Sequence, residues 1–267
     1  MESPESPGQK PYPGFWQAIG ICVLYALAAF VVIVPLIGVG MALDVRIEDN
    51  PASIALVTLA STVWILSLFR ARTEITPDVL AGPLALPLRA ILPILFAVIG
   101  ILIADAPLLA WLSRNFPALR HAGDYGFENS PLGAFVLLVL VAPLSEELLF
   151  RAMFLRGFES RYGRAIALPL SAALFAMAHY YPIKLIHTFL TGLLFGWLYL
   201  RFRAIWPGVF AHAVNNFAAF LLLLYPPTQI PPWWLLPAGA IAAAPALYLL
   251  HRNPPPRSHP PSVPPSL

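Results

Sequence analysis

Long runs of apolar residues make up most of the chain, and short polar or proline-rich stretches separate them. Several runs approach the ~20 apolar residues that an α-helix needs to cross a bilayer. The pattern therefore predicts an all-α fold, a multi-pass transmembrane helical bundle with about eight transmembrane helices. We place the spans at about residues 15–43, 52–69, 90–112, 133–155, 166–181, 185–200, 205–224 and 232–250.

The composition supports a membrane protein. Of the 267 residues, 59% are hydrophobic and only 11% are charged, and the mean hydropathy is +0.74, whereas a soluble domain carries about a quarter charged residues. The expected partner is therefore the lipid bilayer, and no nucleic-acid partner is expected. The single cysteine, Cys22, has no partner for a disulfide. The first apolar run is too long for a signal-peptide core and lacks a basic region directly before it, so we expect it to remain as a helix.

Basic residues are distributed unevenly between the two sides that eight spans create. Eleven lie on the side of both termini and four on the other side, with Arg151 left inside a helix. Because cytoplasmic loops carry the excess of Lys and Arg, we predict a multi-pass protein of the cell (inner) membrane with both termini cytoplasmic. The eleven are Lys10, Arg70, Arg72, Arg89, Arg156, Arg161, Arg164, Arg201, Arg203, Arg252 and Arg257, and the four are Arg46, Arg114, Arg120 and Lys184.

The chain divides into segments of different composition. Its two ends are polar and proline-rich, so neither can bury enough apolar surface to order itself. The loop 114–131 is the longest on the outer side, and we interpret it as a connector rather than a lid. The predicted units are 1–14, a flexible cytoplasmic N-terminus; 15–132, three N-terminal transmembrane helices; 133–224, the helices that carry the candidate chemistry; 232–250, the last transmembrane helix; and 253–267, a proline-rich disordered tail.

Two adjacent acids, Glu146 and Glu147, lie inside the fourth predicted span, where a carboxylate is costly and marks a candidate functional site. Glu147 and Arg151 are four residues apart with the acid first, the orientation in which helical ion pairs interact best. Glu146 is rotated about 100° from Glu147 and lacks this partner, so it is the candidate base that takes a proton from water. An ion pair with a purely structural role would explain Glu147 and Arg151. It would not explain why a second acid, Glu146, lies in the same span.

Histidine and asparagine must supply the remaining chemistry, because Glu159 is the last acidic residue of the chain. His179 follows Phe175 by one helical turn, so the phenyl ring can pack beside the imidazole. Taken alone, a histidine near a helix end is more often structural than catalytic. His212 and Asn216 stand at i and i+4, which projects a ring nitrogen and an amide from one helix face.

Depth in the membrane is consistent with one shared site. At 1.5 Å per residue, Glu146, His179 and His212 lie roughly 15, 15 and 8 Å below the cytoplasmic ends of their predicted helices. All three can therefore meet in a cavity in the cytoplasmic half of the membrane. Asp105 in the third span is a further intramembrane acid without a partner that the sequence identifies, and we interpret His187 as structural.

Three short motifs in this region resemble those of the CPBP intramembrane proteases, also called the Abi family, which include the type II CAAX prenyl endopeptidases. EELLFR at 146–151 resembles the EExxxR motif, FAMAH at 175–179 resembles FxxxH, and HAVNN at 212–216 resembles HxxxN. Each motif is weak alone. Three of them in this order, on the fourth, fifth and seventh candidate helices, form a specific signal.

The resemblance implies a hydrolase that cleaves peptide bonds within or at the membrane, an endopeptidase whose substrates are membrane-associated proteins or peptides. By motif position, Glu146 would activate water together with His179. His212 and Asn216 would stabilise the oxyanion of the intermediate. The residues expected to support these side chains structurally are Glu147, Arg151 and Phe175.

Metal dependence is open at this point. The family is often labelled as metalloproteases, and Glu146, His179 and His212 are the candidate ligands of a His₂Glu zinc site that water would complete. There is no HExxH motif, and the asparagine that accompanies His212 suits hydrogen bonding to an oxyanion better than zinc ligation. We therefore favour no cofactor, with a zinc-dependent version of the same protease as the alternative.

Two other classes of function compete with proteolysis. A secondary transporter with a buried proton-coupled acid should show inverted repeats, and none is visible, since the motifs all lie in the second half of the chain. A non-catalytic membrane scaffold or immunity protein of the same family would tolerate loss of motif residues. All of the motif residues are present here, which favours the enzyme.

Overall fold

The computed structural model describes residues 11–43, 50–73, 88–117, 130–179, 182–225 and 231–252. Within these ranges the regular secondary structure is helical and contains no strand. The predicted tail 253–267 lies outside the described residues, as do most of the predicted N-terminal segment 1–14 and of the connector 114–131.

Eight helices account for the described chain, and each corresponds to one predicted span. They are α1 (Phe15–Leu43), α2 (Pro51–Thr73), α3 (Leu88–Asn115), α4 (Pro131–Tyr162), α5 (Arg164–Ala178), α6 (Leu185–Phe202), α7 (Trp206–Leu224) and α8 (Leu235–Arg252). Six of the eight are long and apolar enough to cross a membrane, α6 being counted with the short 3₁₀ turn before it. The predicted multi-pass helical bundle is confirmed.

Helix α4 changes its hydrogen-bonding pattern four times along its length, because two π segments interrupt it. Its segments are Pro131–Phe135 (α), Val136–Val141 (π), Ala142–Glu147 (α), Leu148–Leu155 (π) and Arg156–Tyr162 (α). In a π segment each N–H bonds to the carbonyl five residues earlier, a rare arrangement that occurs mostly at functional sites. The two adjacent acids thus lie at the end of a short α segment between two π segments, which the hydrophobic pattern did not predict.

Small residues allow the helices around α4 to approach each other closely. A Cβ atom added to Gly192 of α6 would lie 3.1 Å from the ring of Phe175 on α5, and one added to Gly196 would lie 2.7 Å from the side chain of Leu168. On the other side of the bundle, a Cβ atom on Gly100 of α3 would lie 2.7 Å from the carbonyl oxygen of Gly239 on α8. Backbone-to-backbone packing of this kind is typical of membrane helices.

Burial identifies the centre of the bundle. Helices α4 and α6 are the most enclosed of the candidate spans, and α1 is the least enclosed. Along α1, large apolar side chains such as Phe30 and Val31 are exposed on the protein surface. In a bilayer these side chains contact lipid tails, so their exposure costs nothing. The candidate residues on α4 therefore lie in the middle of the bundle rather than at its lipid-facing rim.

Glu159 joins three helices at one end of the bundle. Both guanidinium nitrogens of Arg203, just after α6, donate to its carboxylate at 2.7 and 2.8 Å, and Arg164 at the start of α5 donates at 2.6 Å. A bidentate arginine–carboxylate pair of this kind is among the strongest hydrogen-bonded contacts. These hydrogen bonds raise the pKa of Arg203 above its ordinary value.

The first and last helices reach the same end of the bundle as Glu159. The backbone N–H of Phe15 donates to the hydroxyl of Tyr162 at 3.1 Å, which places the start of α1 beside the end of α4. Arg201 at the end of α6 donates to the last carbonyls of α8, those of Leu250 and His251. Both ends of the described chain therefore lie together, as an even number of spans requires.

This arrangement predicts the outcome of site-directed labelling in intact cells. With Cys22→Ala as the background, Ser160→Cys and Arg252→Cys should react only with reagents that reach the cytoplasm, whereas Asn115→Cys at the end of α3 should react with impermeant reagents from outside. Detergent-solubilised protein, in which all three positions should react, is the control. Reaction of Ser160→Cys and Asn115→Cys from one side would contradict an eight-span topology.

Candidate active site

The structure brings Glu146, His179 and His212 together from three different helices. Oε2 of Glu146 lies 3.6 Å from Nε2 of His179 and 3.7 Å from Nε2 of His212. These distances are just too long for direct hydrogen bonds, and Oε2 has no hydrogen-bond partner although the atom is buried. Two imidazoles therefore converge on Glu146, which lacks the arginine partner of Glu147.

His179 is held in a defined orientation at the end of α5. Its Nδ1 donates to the carbonyl oxygen of Phe175 at 2.8 Å, and the Phe175 ring packs edge-on against the imidazole with a centroid distance of 4.6 Å. This hydrogen bond places the proton on Nδ1 of the neutral ring. Nε2 is therefore left with a lone pair that faces Glu146.

His212 is held in a similar way, but by a carboxylate. Its Nδ1 lies 3.2 Å from Oε1 of Glu147, and the ring of Phe195 stacks on the imidazole with a centroid distance of 4.8 Å. Glu147 therefore orients His212 so that Nε2 faces Glu146, as carboxylates orient imidazoles in many active sites. The first acid of the pair faces two histidine Nε2 atoms, and the second positions one of these histidines.

Glu147 and Arg151 form the predicted ion pair, at 3.2 Å, and both side chains are fully buried. Arg151 also donates to the carbonyl oxygen of Gly192 at 3.2 Å, and its guanidinium lies 4.3 Å from the ring centroid of Phe175. A buried charge is tolerated when it is paired and hydrogen-bonded in this way. The predicted supporting residues thus contact one another as one unit, and this unit contacts α6.

Exposure separates the two acids. The side chain of Glu147 is completely buried, whereas 27% of the Glu146 side chain and 31% of the His179 side chain are exposed. Glu146 and His179 therefore reach the surface of the protein, whereas Glu147 is sealed from it.

Asn216 lies one turn after His212 on α7. Its Nδ2 donates to the backbone carbonyl of Leu138 on α4 at 2.9 Å, and its Oδ1 accepts a hydrogen bond from Asn215 at 3.2 Å. One of the two amide protons therefore remains available. The sequence indicated which helix face carries this amide but not its contact with α4.

The donor set has the chemical character of a zinc site. Two imidazole Nε2 atoms and one carboxylate are common zinc ligands, and each imidazole donates its other proton to an oxygen, the usual outer hydrogen bond of a metal-bound histidine. The residues present therefore fit zinc in type, and Oε2 of Glu146 lies 3.6 and 3.7 Å from the two Nε2 atoms.

Two residues that the sequence analysis left apart prove to be partners. Nδ1 of His187 on α6 donates to Oδ2 of Asp105 on α3, and both side chains are largely buried. Asp105 thus gains the partner that the sequence did not identify, and the structural interpretation of His187 is consistent with this contact. The pair links α3 to α6.

Sequence reasoning also missed two residues that shape the site. Phe195 stacks on His212, and Gly208 leaves room for Glu147, because a Cβ atom there would lie 2.6 Å from the Glu147 carboxylate. Neither residue differs in type from the packing residues around it. Only their position on the helices that flank α4 gives them this role.

One protein-family model matches part of the chain. Residues 128–218 match the family model described as "Type II CAAX prenyl endopeptidase Rce1-like", a range that contains all three motifs and excludes helices α1–α3 and α8. The searches of curated proteins and of solved structures found no match. The resemblance inferred from the motifs is thereby confirmed, and over residues 128–218 the chain matches the CPBP/CAAX protease family.

Proposed function

We propose that this protein is an intramembrane endopeptidase that hydrolyses peptide bonds of membrane-associated proteins or peptides. The observation that carries the proposal is the position of Glu146, a partly accessible carboxylate that faces Nε2 of both His179 and His212. The family match, which suggests a CAAX-type protease, supports the same reaction class.

The first step uses Glu146 and His179 on one water molecule. The Glu146 carboxylate accepts a proton from the water, and Nε2 of His179, whose proton is on Nδ1, accepts a hydrogen bond from the other O–H. The resulting hydroxide attacks the carbonyl carbon of the scissile peptide bond and gives a tetrahedral oxyanion. The protonated Glu146 then donates its proton to the amide nitrogen as the C–N bond breaks, so that protons balance over the cycle.

The oxyanion is stabilised from α7. When His212 carries both ring protons, Nδ1 donates to Glu147 and Nε2 donates toward the reaction centre. The amide proton of Asn216 that is not used on Leu138 supplies a second donor. Fixed donors in a water-poor site stabilise developing negative charge effectively, because they need no reorganisation during the reaction.

The zinc-dependent version of the reaction is the second candidate. It is favoured by one observation, the outer hydrogen bonds of His179 and His212, which resemble those of metal-bound histidines. In that version Glu146, His179 and His212 would hold the ion, which would polarise a bound water. We favour the metal-free reaction because Asn216, one turn after His212, suits hydrogen bonding to an oxyanion better than zinc ligation.

The proposed cellular setting follows from the charge distribution rather than from the site. We propose a multi-pass protein of the cell (inner) membrane with both termini cytoplasmic. The assay that tests hydrolysis is incubation of the purified protein in detergent with an internally quenched peptide library that includes farnesylated C-terminal CAAX peptides and their unprenylated counterparts. Failure to cleave any member would contradict the proposed activity.

The two acids should respond differently to the same isosteric change. Glu146→Gln should lower kcat by about 10³-fold or more and leave the Tm nearly unchanged, because the amide cannot accept the proton. Glu147→Gln should destabilise the protein by about 3–5 kcal/mol, because it leaves the buried Arg151 without its counter-charge. Thermal unfolding in detergent, measured beside the peptidase assay, tests both. Equal Tm values for the two variants would refute the division of roles.

Asn216 separates the metal-free from the zinc-dependent reaction. In the metal-free reaction Asn216→Ala should lower kcat by about 10²-fold with little change in KM, because the lost hydrogen bond forms mainly in the transition state. Chelator should not affect the wild type, and added zinc should not rescue the variant. Chelator sensitivity of the wild type together with zinc rescue of Asn216→Ala would establish the zinc-dependent reaction instead.

A further inference from the structure

Pro143 interrupts the hydrogen-bonding pattern of α4 one turn before Glu146. In the π segment Val136–Val141, the N–H of Ala142 donates to the carbonyl of Leu137, five residues earlier. If this pattern continued, the carbonyl of Leu138 would receive the N–H of residue 143. Residue 143 is proline and has no N–H, so α4 itself leaves the Leu138 carbonyl without this donor.

Asn216 occupies the acceptor that Pro143 leaves open. Its Nδ2 donates to the Leu138 carbonyl at 2.9 Å, across 78 residues of sequence. The proline is buried within the bundle, where no bulk water can satisfy a free carbonyl. A neighbouring side chain is the alternative donor, and α7 provides it.

We infer that Pro143 is a positioning residue for Asn216: by removing one backbone N–H from α4, it creates the acceptor that fixes the Asn216 amide beside the reaction centre. The Oδ1 atom is fixed at the same time by Asn215. Because Oδ1 and one N–H of the Asn216 amide are both hydrogen-bonded, the second N–H is held in a single orientation. This inference rests on the proposed function for its catalytic consequence, but the hydrogen bond itself is testable without activity.

The position of Leu138 on α4 places the fixed amide about one helical turn from Glu146. A helix carbonyl points toward the residues that follow it, so the Leu138 oxygen lies near the level of residues 142 and 143, about one turn before Glu146. His212, one turn earlier on α7 than Asn216, faces Glu146 directly. The two donors of α7 are thus placed along α4 at successive turns, and the proline sets the position of the second.

A double-mutant cycle in Tm tests the hydrogen bond. Asn216→Ala alone should lower the Tm by roughly 4 °C, because it leaves the Leu138 carbonyl unpaired. In the Pro143→Ala background the backbone N–H returns and can pair with that carbonyl, so Asn216→Ala should cost little or nothing. The matched control is Pro35→Ala, which removes a helix proline on the exposed surface of α1; in that background the full Tm loss should remain.

Steady-state kinetics on the best-cleaved peptide of the quenched library test whether Pro143 affects catalysis through Asn216. Pro143→Ala should lower kcat by about 10-fold with KM unchanged, because the amide loses its fixed position. The Tm should change little, because the backbone hydrogen bond that the alanine N–H regains offsets the loss of the buried ring atoms of Pro143. A purely structural role for Pro143 would instead lower the Tm and leave the kcat of the folded fraction unchanged.

The measurements test the role of Pro143 and the proposed function separately. An equal Tm loss for Asn216→Ala in the wild-type and Pro143→Ala backgrounds would overturn the inference, and so would an unchanged kcat in Pro143→Ala. If Pro143→Ala does not fold, the similarly shaped Asn216→Leu decides, because leucine has no donor and should lower the Tm as Asn216→Ala does. A wild-type Tm for Asn216→Leu would overturn the inference. Absence of any peptide cleavage by the wild type would refute the proposed function, while the Tm cycle would still test the hydrogen bond.

Discussion

The buried ion pair of Glu147 and Arg151 is the constraint on which the site depends. Two charges in the membrane interior are stable only if each is compensated, and here the compensation involves three helices: α4 supplies both charges, α6 supplies the Gly192 carbonyl and α7 supplies the His212 imidazole. Because removing any partner leaves a buried charge uncompensated, the helices cannot shift independently. The contact with Glu147 in this ion pair also fixes the orientation of His212, one of the two histidines that face Glu146.

The division between a sealed and an accessible carboxylate explains why two acids are adjacent. Neighbouring residues on a helix point about 100° apart, so one turn of α4 can present Glu147 to the interior and Glu146 to a partly open space. In the proposed reaction the first acid exchanges protons with water, while the second remains in a fixed ion pair. A single acid could not perform both tasks, because the hydrogen bonds that fix it would also occupy its lone pairs.

Much of this arrangement could be predicted from local spacing, and the remainder could not. The eight helices follow from the apolar runs, and the Glu147–Arg151 and Phe175–His179 contacts follow from the i, i+4 geometry of a helix. The contact between Asp105 and His187 joins residues 82 apart, and that between Asn216 and Leu138 joins residues 78 apart. Such pairings depend on how helices pack, which residue periodicity does not encode. The π segments of α4 could not be predicted, because their apolar residues are equally compatible with a regular α-helix.

The shortness of α5 has a consequence for the supply of water. With 15 residues the helix is about 22 Å long, whereas the hydrocarbon core of a bilayer is about 30 Å thick. Lipid adapts to a short helix by thinning locally. His179 closes this helix, so thinning would be greatest beside one of the two histidines that face Glu146. The proposed hydrolysis needs a route for water into the membrane, and a missing turn and a half of helix would provide that route without a pore.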